Sequence, residues 1–249
     1  MLELINNCAH NSEFYTYIDY LNNKIIKSAF TEKGINSILR EYKGLKWYIE
    51  NSNIEIENLY NIILQKKNYI RFEMKMLNLK KNDYNQGLIK NTDLIEKTIK
   101  HYYEVWNKEI SKKNVNLHGD LSIDNILFDN EKIFVIDWEH FAENAAPIGF
   151  DIVYLLFESL WFSMNNRKNF EINDTEKEFI NLQLKFLKYK NMLSIFFDKT
   201  PLFSLKRFMV ENMQIWSAKN IDELRKFPIL FLNNEQIYKI DKSILIDNN

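Results

Sequence analysis

Between Asn116 and Phe141 the chain reads NLHGDLSIDNILFDNEKIFVIDWEHF, two histidines and four aspartates set around two short apolar runs. Asp120 and Asn125 are separated by four residues, a spacing suited to one loop. Residues 126–128 and 133–136 read as short strands joined by the turn DNEK. Antiparallel pairing of these runs returns Asp137 beside Asn125, grouping a carboxylate, an amide oxygen and a second carboxylate. Hard oxygen donors of this kind suit Mg²⁺, which binds through one or two carboxylates and leaves its other positions to water and phosphate. The remaining aspartate is then available to accept a hydrogen bond from an attacking hydroxyl. The competing reading is an acidic surface hairpin without chemistry.

The same division of labour appears in the protein-kinase catalytic loop, D-x-x-x-x-N followed by a metal-binding Asp. In the form His-Gly-Asp-x-x-x-x-Asn followed by Ile-Asp-Trp-Glu, the stretch resembles the aminoglycoside phosphotransferase and choline kinase superfamily over residues 117–139. The resemblance continues into PIGFDIVYLL and then thins to pattern level. It implies an α+β, protein-kinase-like two-lobe fold: a small antiparallel-sheet N-lobe with one helix, a larger and mostly helical C-lobe, and ATP between them. It implies Asp120 as the catalytic base that orients the substrate hydroxyl, and Asn125 and Asp137 as Mg²⁺ ligands. His118 would brace the loop, and Asp151 would hydrogen-bond it from behind. Glu139 would either touch metal-bound water or cap the following turn. Main-chain groups of Glu73, Met74, Lys75 and Met76 would meet the adenine.

The resemblance also calls for a lysine that binds the α- and β-phosphates on the second strand-like run, residues 24–30, and a glutamate on the first helix. Along KIIKSAF, strand alternation puts Ile25, Lys27 and Ala29 on one face. Glu41 lies three residues from Ile38 and four from Leu45, beside the apolar stripe of the following helix. Lys27–Glu41 is the expected pair, with Lys24 as the alternative lysine.

The elements that must carry these residues follow from periodicity. Residues 14–20 and 24–30 read as strands around Asn22-Asn23, and residues 59–77 as two strands around Lys-Lys-Asn. Between them Ile35, Ile38, Leu39, Tyr42, Leu45 and Ile49 recur at helical spacing. A polar connection at 78–92 leads to a helix over 93–110, capped by Asn91 or Thr92. After Pro147 the pattern is mostly helical to about residue 224. The expected domains are 1–76, the nucleotide-covering sheet and helix, and 77–249, the catalytic loop, metal site and acceptor-binding helices.

Composition narrows the function classes. The 249 residues carry a net charge of −1, which offers no broad field for nucleic acid or an anionic membrane. The single Cys8 excludes an internal disulfide framework and fits a reducing cytoplasm. The start of the chain lacks a basic region followed by an apolar one, so no signal peptide is expected. The most apolar window, residues 150–162, contains Asp151 and Glu158 and is too short to span a bilayer. No stretch resembles an activation segment ending in Ala-Pro-Glu, which disfavours a protein substrate. The expected activity is therefore ATP- and Mg²⁺-dependent transfer of the γ-phosphoryl group to a hydroxyl of a small molecule. Candidate acceptors are an amino alcohol such as choline or ethanolamine, or a sugar or aminoglycoside.

Two departures from the family pattern stand out. The phosphate-covering loop would fall near NNCAHNSEF, which has no glycine, and Asp124 adds a negative charge beside the site. The glycine-free loop favours the alternative of a nucleotide-binding regulatory module of the same fold. An aromatic box for an ammonium group, formed by Tyr154, Trp161 and Trp216, is weighed against an ordinary aromatic core.

Overall fold

The computed structural model describes residues 2–5, 14–54, 60–81, 92–129 and 132–162. The anticipated phosphate-covering loop, most of the polar connection, the helices beyond residue 162 and the side chains of Trp161 and Trp216 lie outside the described residues.

The chain forms two compact units. The first comprises Met1–Lys80 together with Ile136–Ala142; the second comprises Lys81–Val135 and Glu143–Asn249. In the first unit β1 (Leu2–Ile5), β2 (Phe14–Asp19), β3 (Lys24–Ala29), β4 (Tyr60–Lys66) and β5 (Tyr69–Lys75) build one antiparallel sheet in the order β1-β2-β3-β5-β4. The β2–β3 turn is made by its own side chains. Asp19 accepts from the backbone N–H of Asn22 at 3.1 Å and from its Nδ2 at 2.7 Å, while Asn23 takes a left-handed conformation at φ 53°.

Helix α1 (Glu32–Asn51) starts at Thr31, whose Oγ1 accepts from the Gly34 N–H at 3.2 Å. Its fully buried seam is Gly34, Ile38, Glu41, Gly44, Leu45 and Tyr48. Of the apolar stripe read from the sequence, Ile38 and Leu45 lie in this seam, while Ile35, Leu39, Tyr42 and Ile49 are half-buried beside it. Thus Glu41 occupies the middle of the buried face.

The segment Trp138–Phe141 packs on that face. The Trp138 ring, fully buried, lies 5.1 Å from Tyr48 and 5.9 Å from Trp47 between ring centroids, and Phe141 lies 6.0 Å from Trp47. Gly44 makes the approach possible. A Cβ there would stand 2.8 Å from the Cβ atoms of both Trp138 and Phe141.

In chain order the remaining elements are β6 (Lys80–Lys81), α2 (Thr92–Trp106), β7 (Val115–Leu117), β8 (Ile126–Phe128), β9 (Ile133–Val135), β10 (Ala142–Ala146) and α3 (Phe150–Phe162). Helix α2 stops at Trp106, earlier than periodicity suggests, and a 3₁₀ turn takes Asn107–Glu109. The stop is fixed by tertiary bonds. Trp106 Nε1 donates to the Asn116 carbonyl at 2.6 Å, and the buried Glu109 accepts from the Asn116 N–H at 2.8 Å. Strands β8 and β9 pair antiparallel in the register Ile126↔Val135, as their apolar runs suggest. Among the described residues no helix is long and apolar enough to cross a membrane.

Gly44→Ala tests the packing of α1. Alanine favours a helix by about 1 kcal/mol over glycine, but its Cβ meets two other Cβ atoms that no rotamer change can move. Overpacking at about 1–3 kcal/mol should win. Urea unfolding should show Gly44→Ala less stable than the parent, and Gly44→Val less stable still.

Candidate functional site

In the first unit, the Lys27 ammonium donates to Glu41 Oε1 at 2.8 Å, to Glu41 Oε2 at 2.7 Å and to Asp137 Oδ1 at 3.1 Å. The expected Lys27–Glu41 pair is thus formed, and Asp137 joins it. Lys24, the alternative lysine, turns instead to Glu73 at 2.8 Å. Lys27 and Glu41 are buried, whereas one-third of the Asp137 side chain remains exposed. The Phe14 ring covers the ammonium from 5.2 Å.

Burial works against the charge on Lys27, but the carboxylates of Asp137 and Glu41 outweigh it and hold the ammonium well above its ordinary value. Glu41 goes the same way for a different reason. Burial lifts its carboxyl to about 7 against the pull of Lys27, and the charges of Asp137 and Glu139 add to the rise. Two carboxylates share one cation, so the more deeply buried of them resists ionisation.

Asp137 occupies the left-handed region at φ 64°, ψ 58°. That conformation is uncommon for a residue with a Cβ. It is held here by the bond to Lys27 on one side and the packed Trp138 on the other. Glu139 lies on the same turn; its carbonyl accepts from Arg40 Nε at 2.7 Å, and its carboxylate is 3.5 Å from His140 Nε2.

Glu73 and Met74 sit on β5, the strand between β3 and β4, with Lys75 at its end. Lys24 and Arg71 hold the Glu73 carboxyl below its ordinary value. The Met76 N–H donates to the Asn23 carbonyl at 2.8 Å, and the Met76 carbonyl accepts from Asn23 Nδ2 at 3.3 Å.

In the second unit, β7 delivers the loop that begins at His118. Gly119 turns it at φ 88°, a left-handed position that suits glycine. Asp151, buried near the start of α3, accepts from the His118 N–H through Oδ2 and from the Gly119 N–H through Oδ1, both at 2.9 Å. His118 is fully buried, and its Nδ1 accepts from the Asp120 N–H at 3.1 Å. Asn125 ends a 3₁₀ turn over Ile123–Asn125 and donates through Nδ2 to the Asp120 carbonyl at 2.8 Å. A longer contact of 3.3 Å reaches Asp120 Oδ2. The Asp124 carboxylate accepts from Ser122 Oγ at 2.5 Å.

Tyr154 also enters this unit's constellation. Its hydroxyl donates to Asp120 Oδ1 at 2.5 Å, so the phenol considered for an ammonium box faces the loop aspartate. The Asp137–Lys27 contact and the Arg40 bond were likewise invisible in the sequence, because neither follows from strand or helix period. Among the other histidines, burial pushes His101 down to about 4. His10 lies outside the described residues.

Residues 68–174 match the sequence model of the phosphotransferase enzyme family, APH. The matched residues include the His118–Asp137 motif. Among solved structures, a GDP complex of wild-type aminoglycoside 2'-phosphotransferase-IIIa is 11% identical, with 88% of this chain and 91% of that chain covered and a TM-score of 0.43. A ternary complex of APH(2")-IIa with streptomycin and ATP is 14% identical over 78% and 84%, with a TM-score of 0.37. A choline/ethanolamine kinase family protein from Mesorhizobium loti is 10% identical over 98% and 88%, with a TM-score of 0.41. No curated protein sequence matches the chain.

Lys27→Met should expose the cost of the buried carboxylates. Removing one partner of a buried pair costs roughly 3–5 kcal/mol. Glu41 must then take up a proton on folding, so the folded state binds more protons than the unfolded one above the ordinary carboxylate range. Stability of this variant should therefore fall as pH rises from 5 to 8, and urea midpoints across that range measure it. Asp151→Asn places an amide nitrogen against one of two backbone donors. It should cost about 1–3 kcal/mol by the same assay.

Proposed function

We propose that the protein is a phosphotransferase on a protein-kinase-like plan, moving the γ-phosphoryl group of ATP, in the presence of Mg²⁺, to a hydroxyl of a small molecule. The observation that carries this reading is the His118–Asn125 loop. Its aspartate is bonded by Asn125 and Tyr154, and its backbone is pinned by Asp151. A surface hairpin has no need of a fully buried histidine and a buried carboxylate beneath it. The five-stranded sheet, helix α1 and the buried Lys27–Glu41 pair add support in the first unit.

The residues fit the implied groups. Asn125 presents an amide oxygen and Asp137 a carboxylate, both hard donors of the type Mg²⁺ takes, with water and phosphate completing its shell. When bound, the ion neutralises charge on the phosphates as the γ-phosphoryl group departs. Lys27, already positioned by Glu41, binds phosphate oxygens as a point charge. Asp120 accepts the proton of the acceptor hydroxyl and aligns its oxygen for in-line attack. Catalysis rests on positioning and charge, with no covalent intermediate on the protein. The acceptors in view are choline, ethanolamine, sugars and aminoglycosides. A regulatory module that binds nucleotide without turnover is the second reading, supported by the absence of glycine from residues 6–13 between β1 and β2.

ADP release from Mg·ATP across a panel of those acceptors decides between the two. Turnover with one acceptor should fall about 10²–10⁴-fold in Asp120→Asn, with calorimetric Mg·ATP binding nearly unchanged, whereas Asp137→Ala should weaken that binding. Full activity in Asp120→Asn would remove the base from Asp120. Nucleotide binding with no turnover for any acceptor would favour the regulatory module.

A further inference from the structure

Helix α3 presents Asp151 and Tyr154 at i and i+3, one face of a helix, and both are buried. They hold different parts of one loop. Asp151 binds the backbone N–H groups of His118 and Gly119, whereas Tyr154 reaches the Asp120 carboxylate itself. A buried tyrosine hydroxyl needs an acceptor, and a backbone carbonyl would serve for core packing alone. Here the acceptor is the side chain proposed to take the substrate proton.

We propose that Tyr154 is a positioning residue for the phosphoryl-transfer step, acting through Asp120; the inference rests on the reading of Asp120 as the base. The phenol holds Oδ1, and Asn125 Nδ2 approaches Oδ2 at 3.3 Å. Contacts to both oxygens fix the plane of the carboxylate, and Asp151 fixes the backbone that carries it. Loss of the phenol removes the bond to Oδ1 and loosens the plane of the Asp120 carboxylate while the ring still fills its place. Misplacement on the scale of 1 Å is enough to slow an oriented transfer about a hundred-fold.

Tyr154→Phe removes only the donor. Its kcat, measured as ADP release with the acceptor that turns over or with water, should fall about ten- to a hundred-fold. The KM for ATP and the calorimetric Kd for Mg·ATP should stay within about two-fold of the parent, since the phenol binds no nucleotide in this reading. The double variant Tyr154→Phe/Asp120→Asn should be no slower than Asp120→Asn alone, because both changes act on one step. A merely structural role would lower the melting temperature and add its loss to that of Asp120→Asn.

A turnover-independent readout comes from protein labelled with ¹³C at tyrosine Cζ. One resonance should move in Asp120→Asn, and that resonance should be the one missing from Tyr154→Phe. Should the phenylalanine variant not fold, the shift in Asp120→Asn still shows whether a tyrosine senses this carboxylate. A parental kcat in Tyr154→Phe, or no shifted tyrosine in Asp120→Asn, overturns the proposal while leaving the base assignment standing. Full transfer by Asp120→Asn overturns both.

Discussion

The interaction on which the first unit depends is one buried ammonium between two carboxylates. Lys27 joins β3, α1 and the Asp137 turn through three bonds of 2.7 to 3.1 Å. Such a cluster is a poor way to gain stability, since a buried ion pair often does no better than apolar groups of the same volume. Its value lies in geometry. Neither β3 nor α1 can shift without uncovering a charge, so the ammonium and Asp137 keep a fixed separation. The raised Glu41 carboxyl expresses the same tension as a proton affinity.

The second unit solves a related problem with neutral donors. Its loop is short of regular structure, so its backbone groups need partners from elsewhere. Asp151 supplies two acceptors from the first turn of α3, His118 supplies one from within the loop, and Asn125 returns a donor to the Asp120 carbonyl. Polar groups at this depth hold one arrangement because each alternative leaves a donor unpaired. The loop is therefore held in place by the chain's own groups.

Much of this was legible in the sequence where a local rule applied. The family resemblance called for a lysine and a glutamate; strand alternation then chose Lys27 and helical spacing Glu41, while turn chemistry alone selected Asn22-Asn23. The β8–β9 hairpin followed from two apolar runs around a polar turn. Contacts set by packing between distant segments were not legible. Lys27 and Asp137 are 110 positions apart, and no periodicity relates them. Tyr154 read as one aromatic among several in an apolar helix, since only the third dimension shows what its hydroxyl meets. Strand β1 was missed because four residues at the start of the chain carry too little pattern. Helix α2 ended early because Trp106 and Glu109 found partners in Asn116, a tertiary preference that outweighs helical spacing.

The missing side chain at Gly44 has a mechanical consequence. With helix backbone and turn in direct van der Waals contact there, no compressible layer separates α1 from Trp138 and Phe141. Arg40 adds a tether one turn earlier through the Glu139 carbonyl. A tilt of α1 is thus transmitted to Asp137 without slack, as motion passes between meshed gear teeth. The helix and the aspartate form a single moving part.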